Sequence, residues 1–182
     1  MGGFEYSEEV QSILQGLSRD GALYILFEVY GDNVIPSEYD QDISKEYCEL
    51  QEQNLLEKGE TFSFEKRNWV TEYSDTERGR HLVDTLEEYD VGTHQSDENP
   101  IIDSFQGRSS DNWANFLATI EEGQTISDHN KETFYRYLRE GEDLGIIEGK
   151  GENEISEVTD RGREVKEFIR EVGEELGDAG EK

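Results

Sequence analysis

Thr76-Glu77-Arg78-Gly79-Arg80 and Thr159-Asp160-Arg161-Gly162-Arg163 are two copies of one pattern, threonine, acid, Arg-Gly-Arg. Each copy follows a β-like stretch and opens an amphipathic segment. A threonine at that point can accept a backbone N–H as a helix N-cap, and an acid in the first turn suits the positive end of the helix dipole. The glycine lets the helix lie close to a neighbour. Each copy also stands behind a helix and a hairpin-like stretch, so the sequence is expected to hold two copies of one small domain.

Upstream of the first copy, residues 61–64 and 69–73 flank the polar turn Glu65-Lys66-Arg67-Asn68, which reads as a hairpin. Before it, a helix over about 44–57 would place Tyr47, Leu50, Asn54 and Leu55 near one face, closed by Lys58-Gly59. Val34-Ile35-Pro36-Ser37 reads as a turn or a short edge segment. Residues 22–30 are apolar nearly all round and read as a central buried helix ending at Gly31, with a buried strand as the alternative. Val10, Ile13, Leu14 and Leu17 keep helical spacing behind Ser7. Downstream, Leu82, Val83, Leu86 and Tyr89 continue the helix that the motif starts.

The second copy repeats this order. Trp113, Phe116, Leu117 and Ile120 form a helix face, and Gly123 ends it. A helix over about 128–142 turns Phe134, Tyr137 and Leu138 inward. Leu144-Gly145-Ile146-Ile147 leads to the turn Gly149-Lys150-Gly151, and a strand near 155–158 precedes the motif. The closing helix carries Val165, Phe168, Ile169, Val172 and Leu176. Between the copies, 92–110 is rich in Gly, Ser, Asp and Asn and reads as a linker, with Ile101, Ile102 and Phe105 available to dock it. The expected division is a first domain over 1–91 that includes the N-terminal helix, a linker over 92–110, a second domain over 111–176 and a frayed tail over 177–182. The fold class is mainly α with small β-hairpins, that is, α+β.

Helix, helix, hairpin, helix in each half resembles the winged-helix family, over about residues 20–90 and 112–173. The resemblance rests on the junctions at Leu55-Leu56-Glu57-Lys58 and Leu144-Gly145-Ile146-Ile147, the hairpins and the two motif helix starts. It implies a middle helix that enters the DNA major groove and a hairpin wing that touches the backbone. The segments from Val34 to Leu55 and from Ile126 to Leu144 are short for the family's two-helix unit, so the helix before the reading helix is abbreviated or missing.

Acid pervades the chain. There are 45 Asp and Glu against 17 Lys and Arg, a net charge of −28 spread evenly over both halves, while aromatics make up 10 %. An acidic skin that spares the apolar positions fits a protein of halophilic archaeal type, because concentrated salt screens the self-repulsion. An acidic protein from a low-salt cell and a nucleic-acid mimic are the alternatives. Cys48 is the single cysteine, which excludes an internal disulfide and a thiolate metal site. No apolar run approaches a membrane span, and Met1-Gly2-Gly3-Phe4-Glu5 lacks the basic and apolar regions of a signal peptide, so a cytoplasmic protein is expected.

No catalytic constellation is present. There is no phosphate-cradling glycine loop and no nucleophile elbow, and His81, His94 and His129 lack metal-ligand spacing, so neither an enzyme nor a cofactor is expected. The scarce bases are more informative. Lys66 and Arg67 occupy the first hairpin tip. In the second half Asn130, Lys131, Arg136 and Arg139 lie on or just before the middle helix, and Lys150 lies at the second hairpin tip. These seven residues are the candidate DNA contacts, through phosphates and, for Asn and Arg, through base edges. Arg78, Arg80, Arg161 and Arg163 have neighbouring acids to pair with, and Arg136 and Arg139 have Glu132 and Glu140. The first half's counterpart, Ser44-Lys45-Glu46 with Glu49 and Glu52, is too acidic for a DNA reader. Phe62, Phe64, Trp69 and Tyr73 read as the core and face of the hairpin; a platform for stacking single strands would need them exposed beside bases. Tyr24, Phe27 and Tyr30 read as core, with a homodimer surface as the alternative. The functional expectation is a non-catalytic DNA-binding regulator, and its rival is an adaptor that binds a protein partner.

Overall fold

The computed structural model describes residues 4–19, 21–36, 44–91, 100–106, 113–125, 131–151 and 153–180. Among them the chain is α+β, with eight helices and two antiparallel two-stranded sheets. The order is α1 (Ser7–Leu17), α2 (Ala22–Val29), α3 (Ser44–Glu52), β1 (Leu56–Ser63), β2 (Asn68–Asp75), α4 (Glu77–Glu88), α5 (Pro100–Asp103), α6 (Trp113–Thr119), α7 (Lys131–Asp143), β3 (Ile147–Gly149), β4 (Ile155–Val158) and α8 (Asp160–Gly180). Two compact units result. One comprises residues 16–97 with 175–182, the other residues 98–174 with 1–15. The N-terminal residues that the sequence reading attached to 1–91 thus group with 98–174.

In the 16–97 unit, α2 buries Ala22, Ile25, Leu26 and Val29 but leaves Tyr24 and Tyr30 exposed. The helix is therefore one-sided, not buried all round. Tyr30 caps its end and donates its hydroxyl to Asp84 Oδ1 at 2.6 Å. Val34 makes an antiparallel bridge to Tyr73 and so forms a short edge beside β2. The next helix stops at Glu52, short of the expected end at 57. Asn54 adopts φ 58°, a conformation its short polar side chain tolerates. Leu55 N then donates to Leu50 O at 2.9 Å, and the chain turns into β1. This turn buries Leu55 and Leu56 in succession, which a continued helix would have placed on diverging faces.

The hairpin is longer than the sequence suggested. It runs in register from Leu56 opposite Asp75 to Ser63 opposite Asn68. Only its foot is core: Tyr73 is buried against Tyr47, ring centroids 4.8 Å apart, whereas the outer strands project beyond the helices. At its end Thr76 caps α4, accepting from Gly79 N at 2.9 Å. The Thr76 hydroxyl in turn donates toward the carbonyls of Asn54 at 2.7 Å and Leu55 at 3.1 Å.

The 98–174 unit repeats this arrangement. Thr125 bridges Glu154 as Val34 bridges Tyr73. Gly145 stands at φ 68° in the place of Asn54, and Ile146 N donates to Gly141 O at 2.8 Å. Thr159 accepts from Gly162 N at 3.0 Å and donates toward the carbonyls of Gly145 at 2.7 Å and Ile146 at 2.9 Å. The core here is aromatic. Trp113 stacks on Phe116 at 5.5 Å, and Tyr137 lies 5.2 Å from the Trp113 ring. Gln11 of α1 accepts from Ala114 N at 2.8 Å and so serves a first-turn donor of α6. The stretch read as a linker contains α5, which buries Ile102 and, just beyond it, Phe105. The last helix continues to Gly180, through the stretch from Gly177 that the sequence reading took as frayed.

Candidate nucleic-acid interface

α7 is strongly amphipathic, and its residues sort by helical period. Phe134, Tyr137, Leu138 and Gly141 are buried, while Arg136 and Arg139, three residues apart, are exposed. Both arginines line an open groove of about 480 Å³, together with Glu140, Glu142, Asp143 and Gly151. Lys131 lies in the first turn of α7. Asn130 and His129 lie outside the described residues. Lys150 is exposed in the hairpin turn next to Gly151, with its backbone N–H donating to Glu154 O at 2.7 Å. Of the residues expected from sequence, Arg136 and Arg139 therefore share one surface with Lys150 next to its wall.

The groove is electrically mixed. Burial pushes the Glu140 carboxyl up from its ordinary range; Arg136 opposes that and Asp143 adds to it. Glu140 Oε2 is buried with no hydrogen-bond partner among the described residues. Glu142 is engaged, accepting from Gly149 N at 3.0 Å. The Arg136 guanidinium sits 5.4 Å from the Tyr137 ring centroid, within cation–π range. The ion pairs of the described residues include neither Arg136 nor Arg139. They do include Arg80 with Asp75 at 3.4 Å, and Arg163 with Asp160 at 2.6 Å and Glu122 at 3.5 Å. Those motif arginines thus have local partners, although exposed pairs of this kind stabilise little.

Lys66 and Arg67 belong to the other unit, in the turn between β1 and β2. Lys66 N donates to Ser63 Oγ at 3.2 Å, and Arg67 takes φ 49° to close the turn. Between α3 and this hairpin lies a second open groove, of about 320 Å³, lined by Tyr47, Cys48, Lys58, Lys66, Thr71 and Tyr73. Lys58 was missed from sequence because it was read as a helix stop. The alternation Lys58, Glu60, Phe62 was the signal that it stands on a strand. The expected aromatic core of the hairpin also needs correction. Phe64 is 86 % exposed, Trp69 63 % and Phe62 40 %, because the outer hairpin extends past everything that would cover it.

Comparison with protein-family models, with curated proteins and with solved structures returns no match. The site's own chemistry is what remains. Among the described residues no group of three or more His, Cys, Asp or Glu is placed to hold a metal ion, and no helix is long and apolar enough to cross a membrane. The exposed side chains of α7 are of both signs: Arg136 and Arg139 are cationic hydrogen-bond donors, and Glu132, Glu142 and Asp143 are acids.

Proposed function

We propose that this chain is a non-catalytic, tandem winged-helix DNA-binding regulator adapted to high salt, which reads the major groove through α7. One observation carries the reading. Each unit repeats helix, bridging segment, helix, hairpin, helix with matching hydrogen bonds at its junctions, and only the second copy sets two arginines three apart on the exposed face of its middle helix. Arg136 and Arg139 would face guanine edges or phosphates, Lys131 would approach the strand at the helix start, and Lys150 would hold phosphate from the turn. Counterion release contributes little when bulk salt is molar, so affinity would rest on shape fit and base contacts, and a net charge of −28 is compatible with it.

The experiment is selection of bound genomic DNA fragments in molar KCl, followed by binding of the selected site by Arg136→Ala and Arg139→Ala. Each substitution is expected to cost about 1–3 kcal/mol at its own base position. Failure to select any site, or unchanged binding by both variants, sinks the proposal. A second reading, an adaptor for a protein partner, is favoured by the three acids that share the α7 groove with the arginines. A stoichiometric protein recovered from native brine, with no DNA site selected, would decide for it.

A further inference from the structure

Three large rings at the outer end of the β1–β2 hairpin are left in water. Phe62 and Trp69 face each other across the strands in register, and Phe64 follows Phe62. Phe62 stands edge-on to both neighbours, with centroids 5.4 Å from Phe64 and 5.8 Å from Trp69. Such a cluster on a small acidic domain marks a contact surface. Its surroundings say for what. Residues 62–69 hold two bases, Lys66 and Arg67, against the single acid Glu65, in a chain where acids outnumber bases 45 to 17. Lys58, near the foot of the same hairpin, and Lys66, in its turn, both line the groove beside α3. Lys58 shares the alternating positions of β1 with Phe62, and their register partners are Tyr73 and Trp69. One side of the hairpin therefore runs from Lys58 near its foot, past the single acid Glu60, to open rings and cations at its end.

Rings beside cations complement a ligand with exposed flat apolar faces and a regular negative backbone. A duplex presents phosphates but keeps its base faces stacked. An apolar protein surface offers the cations no phosphates, and a bilayer surface offers the rings no flat faces to stack on; the net charge of −28 opposes membrane and strand alike. We propose that this side of the hairpin binds single-stranded nucleic acid, with unpaired bases stacked on Phe64 and Trp69 and phosphates held by Lys58, Lys66 and Arg67. Stacking does not depend on charge. It survives where the Debye length has shrunk to about 3 Å near 1 M salt and phosphate attraction has faded. The site is independent of α7 and goes beyond the duplex-reading function proposed above.

The test uses the full chain in molar KCl and a labelled oligothymidine of about twenty nucleotides, long enough to cover one such site. A duplex of the same length is the comparison. Trp113 is fully buried and Trp69 is exposed, so a change in tryptophan emission on binding reports on Trp69. The oligothymidine is expected to bind in preference to the duplex and to quench that emission. Trp69→Ala and Phe64→Ala should each weaken binding on the order of tenfold, and Trp69→Phe should keep most of it. Lys66→Ala should weaken it less, and both Arg136→Ala and Arg139→Ala should leave it unchanged, which separates this site from α7. Circular dichroism of each variant checks that it stays folded. No binding by the parent chain, equal preference for the duplex, or unchanged affinity in Trp69→Ala overturns the proposal. So does a protein captured through Trp69 in place of the oligonucleotide.

Discussion

Gly79 lies so close to the Leu55 carbonyl that a β-carbon on it would overlap the oxygen; Gly162 stands in the same relation to Ile146. In both units the first turn of the helix after the hairpin is pressed against the residue where the middle helix gives way to the first strand. The contact fixes the angle between hairpin and helix and hence the direction in which the hairpin projects.

Substituting either glycine by alanine forces backbone apart from backbone, because neither neighbour is a flexible side-chain end. Gly79→Ala and Gly162→Ala are each expected to destabilise by about 2–3 kcal/mol. For domains of this size that lowers the melting temperature by roughly 10 °C or more. Gly59→Ala is the control, since its β-carbon would meet only the Glu72 side chain at an ordinary 3.5 Å. Thermal melts in molar KCl measure all three, and equal melting of Gly79→Ala and Gly59→Ala would remove the argument.

The threonines that precede those glycines do two things at once. Thr76 and Thr159 cap a helix and, through the same hydroxyl, donate to carbonyls at the preceding turn. Thr76→Ala and Thr159→Ala are expected to cost about 1 kcal/mol, chiefly for the cap, because the Leu55 and Ile146 carbonyls keep their bonds from Thr76 N and Thr159 N. Serine keeps the hydroxyl and should recover most of it. Denaturant titration of the alanine and serine variants separates the hydroxyl from the methyl; a serine variant as unstable as alanine would place the effect in packing.

The duplicated motif was legible because its threonine and glycine answer local backbone geometry, and local geometry leaves a sequence signature. Val34 as an edge segment and the inward faces of α6, α7 and α8 were legible for the same reason, since period alone fixes them. The end of α3 was not. Residues 44–57 keep a helical pattern, and the break comes from Asn54 at φ 58°, a conformation that asparagine permits without announcing it; in the second copy Gly145 announces it openly. The exposure of Phe62, Phe64 and Trp69 was illegible too, because alternation tells which residues share a face but not how far a hairpin extends past its support. At the candidate site, the placement of Arg136 and Arg139 on an exposed face followed from helical period. The same period also places Glu142 and Asp143, three and four residues after Arg139 on α7, in that groove, although of the groove's acids only Glu140 was named from sequence.

Glu140 predicts a pH dependence. Burial raises its carboxyl, against the opposing pull of Arg136, so the folded chain favours the protonated form relative to the unfolded chain with its ordinary value of 4.5. The stability this provides is complete below the unfolded value and is lost as pH rises through the folded one. Glu140→Gln should therefore be more stable than the parent at pH 7, and the advantage should shrink toward acid conditions near pH 4. The difference between variant and parent melting temperatures at the two pH values cancels the titration of the other carboxylates. A difference that does not vary with pH would mean that the buried oxygen finds a partner.

The charge of −28 predicts how the whole chain responds to salt. Its cations are too few to neutralise the carboxylates, and ion pairs such as Arg80 with Asp75 are exposed and stabilise little. At physiological ionic strength the Debye length of about 8 Å spans several surface carboxylates, whereas near 1 M it is about 3 Å and isolates them. The helical signal in circular dichroism is expected to persist in molar KCl and to fall cooperatively as KCl is diluted toward about 0.1 M. If repulsion is the cause, lowering the pH of the dilute sample toward 4.5 should restore part of the signal by protonating carboxylates, and an uncharged osmolyte at matched water activity should restore less. Full structure in dilute buffer at pH 7 would show that the acidic surface is not an adaptation to salt. Recovery with osmolyte equal to that with acid would move the cause from charge repulsion to hydration.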